Sequence, residues 1–136
     1  MQEFYAKRFH SNSVERRYME LGRLRLSSYH GCRSCNNGNR LDALEGGLSR
    51  VEIKNIDDSN FDGYSDADRS VLALADLLSM GAKPGSVLKA SLYKQLSKHF
   101  SNAQILDMAM TFSVLSGVAR FIFAFELAEK EDYCTF

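Results

Sequence analysis

The chain has 136 residues, and its 17 basic and 17 acidic side chains cancel, so no charge excess draws it to nucleic acid or an anionic membrane surface. Apolar residues at 45% and charged residues at 25% are ordinary globular usage, and residues 1–136 read as a single domain able to bury one core. Three cysteines, an odd number, fit a secreted disulfide framework poorly; with no apolar run at the N-terminus, the cytoplasm is the expected compartment, with thiols kept reduced.

With one proline (Pro84) and no alternating strand pattern, the fold class is all-α, helices punctuated by glycine. The first helix is expected from about Ser13 to Ser28, with Ser13 as N-cap and Val14, Tyr18, Leu21 and Leu24 on its buried stripe. Arg16, Arg17, Arg23 and Arg25 recur at helical spacing on it and read as a solvated face. A second helix follows from about Cys32 to Leu44 and stops at Gly46-Gly47. Ser49 and Glu52 form a capping box that opens a short helix ending near Asn55. Residues 56–64 read as a polar loop whose aspartates lack the spacing and terminal glutamate of a calcium loop.

Three further helices are expected. The first runs from Ser65 to about Met80, with Val71, Leu74, Ala75 and Leu78 on one face. The second runs from Ser86 to Phe100 with Leu88, Leu92 and Leu96 aligned, after the turn at Pro84-Gly85. The third is launched by the Ser101/Gln104 capping box and continues to about Lys130. Its stretch 105–128 is long enough to span a bilayer, but Asp107, Arg120 and Glu126 interrupt it, so a buried or subunit-interface helix is the expectation.

The residues that carry chemistry are Cys32-Arg33-Ser34-Cys35. At the first turn of a helix, free backbone N–H groups and the macrodipole favour a thiolate, and i, i+3 spacing puts both sulfurs on one face where a disulfide could close. Half of a structural zinc site and a pair of ordinary buried thiols are the competing readings. Zinc needs four ligands, and His30, His99 and Cys134 would have to be gathered from scattered positions. Glu20 borders the apolar stripe of the first helix, where a partly desolvated carboxyl has a raised pKa; the alternative is a surface carboxylate paired to Arg16, Arg17 or Arg23.

Glu20-Leu21, Leu24-Arg25-Leu26-Ser27 and Gly31-Cys32-Arg33-Ser34-Cys35, followed by the helix that stops at Gly46, resemble the carboxymuconolactone decarboxylase/alkylhydroperoxidase D (AhpD-like) superfamily. Asp66-Ala67-Asp68-Arg69, Leu72 to Ala75 and Phe100 to Ile105 follow the same course, and the resemblance spans roughly residues 13–128. It implies an AhpD-like helical bundle, a homo-oligomer (often a trimer or hexamer), no cofactor or metal, and a thiol-dependent peroxidase. In such members the second cysteine attacks the peroxide, the first resolves it, and a glutamate twelve residues earlier moves the proton. By position these are Cys35, Cys32 and Glu20.

The chain departs from that pattern at Asn39, where the family carries a histidine one turn after the second cysteine, and at Ser34 between the cysteines. Asparagine cannot act as a base near neutral pH, and His30 is the candidate to substitute. The expected partners are a hydroperoxide and a thiol or dithiol reductant, with neither nucleic acid nor membrane. The alternatives are a dithiol–disulfide oxidoreductase, a non-enzymatic oligomeric redox sensor, or a decarboxylase-type enzyme, whose acid/base chemistry has no need of a CxxC.

Overall fold

The computed structural model describes residues 13–31 and 33–128, together with Glu3, Lys7 and Phe9; for Arg33, Ser34 and Cys35 it gives the backbone alone. Six helices and no strands occur among the described residues: α1 (Arg16–His30), α2 (Arg33–Glu45), α3 (Arg50–Asp57), α4 (Asp66–Leu78), α5 (Ala90–Leu96) and α6 (Asn102–Ala124).

Serines start three of them. Ser49, Ser65 and Ser101 each sit in extended backbone and accept the N–H three residues on, while Glu52, Asp68 and Gln104 reach back to the cap backbone. Each box satisfies two otherwise orphaned donors from local sequence alone. The first helix starts differently. Glu15 occupies the cap position without a side-chain bond, whereas Ser13 donates to Asp107 Oδ2 (2.8 Å) and its carbonyl accepts from Gln104 Nε2 (2.8 Å). Ser13 therefore ties the chain to α6 instead of capping α1.

α5 is also shorter than the leucine spacing suggests. Lys89 stands in extended backbone and holds off the helix until Ala90, leaving Leu88 exposed outside it while Leu96 is buried. α6 stops at Ala124, closed by a turn in which Glu126 takes a positive φ of 53°.

α1 is the central helix. Every residue from Met19 to Ser27 is buried, so all its faces are covered, by α2, α3, α4 and α6. The expectation of a solvated arginine face is wrong, because each guanidinium meets acids on a neighbouring helix. Arg17 bonds Glu52 (2.6 Å) and Asp68 (3.1 Å); Arg25 bonds Asp76 (2.6 Å) and Ser59 (2.9 Å). A buried guanidinium is tolerable only when its donors are matched this way.

α6 crosses α1 at Gly22, where a Cβ would fall 1.9 Å from the Phe112 ring; only glycine lets that ring lie on the helix backbone. The inner face of α6, with Ile105, Met108, Phe112, Leu115 and Ala119, joins the core. Its outer face carries exposed Leu106, Met110, Val114 and Phe121. By length and composition α6 could cross a membrane, with 39% of its most apolar window buried inside the fold.

Candidate active site

Glu20 is fully buried in the middle of α1, at 0% exposure. Two arginines of the same helix hold it, one turn to either side. Arg16 Nε donates to Oε1 (3.2 Å), and Arg23 donates from Nε to Oε2 (3.0 Å) and again from Nη2. Both arginines also reach the last turns of α2: Arg23 Nη2 bonds Asp42 Oδ2 (2.8 Å), and Arg16 Nη2 bonds Glu45 Oε2 and the Asp42 carbonyl (each 3.3 Å).

The α2 terminus approaches so closely that a Cβ on Gly46 would stand 2.8 Å from Glu20 Cγ. Burial pushes the Glu20 carboxyl above its ordinary pKa, against the pull of Arg23 and Arg16. Both sequence readings of this residue are therefore half right: the carboxyl is desolvated and ion-paired at once.

Arg23 connects this cluster to a cavity of about 130 Å³ between α1, α2 and α6. Among the described residues its walls are Leu26, Leu115, Val118, Ala119 and Ile122, and its polar lining is Arg23, His30 and Asn39. The two auxiliary candidates thus share one cavity although they stand nine positions apart in the chain. His30 is the last residue of α1, where Gly31 (φ 61°) closes the helix in the left-handed region and turns the chain toward the CxxC. Its Nδ1 is buried with no hydrogen-bond partner among the described residues. Burial lowers its pKa to about 4, so it is a neutral imidazole at working pH.

Cys35 lies on α2 one turn before Asn39; Cys32 and Cys134 lie outside the described residues. Among the described residues Glu20 is linked to the cavity through Arg23, a link that sequence reasoning missed although Arg23 was named as an ion-pair partner. Asp42, the outer brace of Arg23, had no sequence signal. Among the described residues, no three His, Cys, Asp or Glu side chains converge to hold a metal. A larger open groove of about 880 Å³ runs along the first half of α6, lined by Lys7, Ser13, Leu106, Asp107 and Met110 among others, and shares no lining residue with the cavity among the described residues.

This arrangement of helices is the AhpD-like fold. A crystal structure from Agrobacterium tumefaciens, described as a protein of unknown function and candidate antioxidant-defence protein AhpD, superposes with a TM-score of 0.75. The alignment covers 98% of this chain and 86% of that one at 21% identity. The debrominase Bmp8, in a cysteine-to-alanine form complexed with 2,3,4-tribromopyrrole, superposes with a TM-score of 0.68 at 16% identity, over 89% of this chain and 63% of that one. No protein-family model matches the sequence, and no curated protein is similar to it.

Proposed function

We propose that the chain is a thiol-dependent peroxidase that reduces hydroperoxides through the Cys32/Cys35 dithiol. The observation that carries this reading is the buried Glu20, braced by Arg16 and Arg23 against α2 and linked by Arg23 to a small cavity, with Cys35 on α2 one turn before a residue of that cavity's lining. A carboxyl held above its ordinary pKa is suited to exchanging protons. The antioxidant-defence description of the Agrobacterium protein is in keeping with it. So is the replaced cysteine in the ligand-bound debrominase.

In this scheme Glu20 accepts the Cys35 proton, and the thiolate attacks the outer peroxide oxygen. The O–O bond breaks, Cys35 becomes a sulfenic acid, and the alkoxide leaves as an alcohol after taking the proton back through Glu20. The Cys32 sulfur then attacks the sulfenate sulfur, an S–S bond forms, and hydroxide leaves as water with the Cys32 proton. Dithiol plus hydroperoxide gives disulfide, alcohol and water, and an external thiol or dithiol reductant restores the pair. Cys134 takes no part.

Asn39 favours a second reading, because no base stands where the resemblance implies a histidine: a dithiol–disulfide oxidoreductase that exchanges disulfides faster than it consumes peroxide. The exposed stripe Leu106, Met110, Val114 and Phe121 supports assembly with further copies of the chain through α6.

Stopped-flow peroxide consumption and disulfide exchange across pH separate these readings. Cys35→Ser abolishes turnover and sulfenate trapping. Cys32→Ser permits one round of sulfenate formation without the internal disulfide, and Glu20→Gln slows the peroxide step. Wild-type rates of both reactions in Cys35→Ser would overturn the dithiol scheme, and exchange without peroxide consumption would select the oxidoreductase.

A further inference from the structure

We propose that Asp42 is a positioning residue for proton exchange at Glu20: its carboxylate shares the Arg23 guanidinium and so keeps that cation from closing on Glu20 as a full ion pair. The proposal rests on the reading in which Glu20 takes the thiol proton, but the geometry behind it belongs to these three side chains.

The pattern of bonds carries it. An arginine and a carboxylate left to themselves pair fork to fork, two nitrogens on two oxygens. Arg23 meets Glu20 differently. Its Nε (3.0 Å) and its Nη2 both donate to one oxygen, Oε2, while Oε1 accepts from Arg16 Nε (3.2 Å). Nη2 carries two protons, and it also donates to Asp42 Oδ2 (2.8 Å). The Asp42 bond thus stands beside the Glu20 bond on one nitrogen and draws the fork to the side. The Phe9 ring, itself buried, lies over the guanidinium at 4.5 Å from Cζ to its centroid. It covers a face of the cation, so the donors turn to the carboxylates around the edge.

The helices set which acid can reach. Cys35, Asn39 and Asp42 follow one another on α2 at i, i+4 and i+7, so they stand on one side of that helix. Glu20 and Arg23 are one turn apart on α1. Asp42 therefore joins the side of α2 that carries Cys35 to the cation that holds the buried carboxyl.

The other charged groups around α1 are matched elsewhere or are more exposed. Glu45 of α2 reaches Arg16 at 3.3 Å and is mostly in solvent. Glu52 of α3 and Asp68 of α4 bond Arg17, Asp76 of α4 bonds Arg25, and Asp107 of α6 accepts from Ser13. His30, which lines the same cavity as Arg23, is neutral at working pH.

The consequence is a buried carboxylate that keeps its affinity for a proton. Burial raises that affinity, and Arg23 lowers it by stabilising the charged form. Removing the Asp42 charge acts twice in one direction: it leaves Arg23 to Glu20, and it takes a neighbouring negative charge away.

The test reads the protonation of Glu20 itself, in the full chain, by carboxyl-carbon NMR with labelled glutamate; Glu20→Gln assigns the resonance. Asp42→Asn leaves an acceptor of nearly the same size for Nη2 and should move the Glu20 midpoint down by about one pH unit. The acid limb of the peroxide-consumption profile should move down with it. Asp42→Glu restores the charge and should bring both most of the way back. Glu45→Gln, which removes a more exposed charge from Arg16, should give a clearly smaller shift. An unmoved Glu20 midpoint in Asp42→Asn would overturn the proposal, as would an equal shift in Glu45→Gln or no recovery in Asp42→Glu. The NMR midpoint needs no turnover. If Asp42→Asn moves it in a chain that consumes no peroxide, the dithiol scheme falls and the sharing of Arg23 stands. If peroxide consumption depends on Cys35 while the midpoint stays fixed, the sharing falls and the dithiol scheme stands.

Discussion

α1 and α6 invert what their compositions suggest. α1 holds four arginines and a glutamate and lies at the centre of the fold; α6 is predominantly apolar and shows one long face to solvent. The inversion follows from partners. The acids that match the α1 arginines come from α2, α3 and α4, so its charge is absorbed inside the bundle, whereas nothing within the described residues covers Leu106, Met110 or Phe121 on α6. Hydrophobicity along one helix does not decide burial. The complement available from the rest of the chain does.

The largest way to break this contrast is to strip α1 of one counter-ion. Arg23→Met leaves the buried Glu20 carboxyl with Arg16 alone and should cost about 3 kcal/mol of folding stability in urea denaturation, within the range for half-removed buried pairs. Adding Glu20→Gln to it should recover most of that loss, because no buried charge then remains unmatched. A loss of under 1 kcal/mol in the single variant would show that the α1 pairs are incidental.

Next in size is the crossing point. Gly22→Ala forces the Phe112 ring off α1 and should cost about 2 kcal/mol, the ordinary penalty of overpacking. Phe112→Leu in the same chain should recover part of it, and additive losses would place the strain elsewhere.

The third test is pH. His30 is neutral in the fold to about pH 4 but titrates near 6.5 when unfolded, so between those values the unfolded chain binds the extra proton. The stabilisation is whole above pH 6.5 and drains as pH falls toward 4, by about 3 kcal/mol. Glu20, shifted upward, works in the opposite sense, its protonated form being favoured in the fold. Unfolding curves compared between wild type and His30→Gln isolate the histidine: the wild type should show the steeper loss on acidification, and parallel curves would contradict its burial.

The smallest expected effect lies on α6. Met110→Lys should leave chain stability within about 0.5 kcal/mol, as for other surface changes, while lowering the mass seen by light scattering. A clean monomer in the wild type would remove the assembly reading.

What the sequence disclosed and withheld follows the range of the forces involved. The Ser49/Glu52 and Ser101/Gln104 boxes were legible because both partners lie within one helical turn. The buried stripe Val14, Leu21 and Leu24 was legible by periodicity. The fate of Arg17 and Arg25 was not, since Asp68 and Asp76 come from a helix some fifty residues onward. The cavity was hidden for the same reason. His30 and Asn39 drew notice for their chemistry, but four of its five apolar wall residues come from α6. Local geometry is written in adjacent residues; a shared enclosure needs the whole chain.

The Phe112 ring on Gly22 also works as a mechanical datum. A helix is close to a rigid rod at about 1.5 Å per residue, so Leu115, Val118, Ala119 and Ile122 stand at set offsets of about 4 to 15 Å from that pin. On the other rod, Leu26 and His30 stand at comparable offsets from Gly22. The two walls of the cavity are thereby gauged from one shared origin. Sliding α6 along α1 would require lifting an aromatic ring from a backbone it touches, so the aperture holds its calibre while the outer face of the same helix is left to vary.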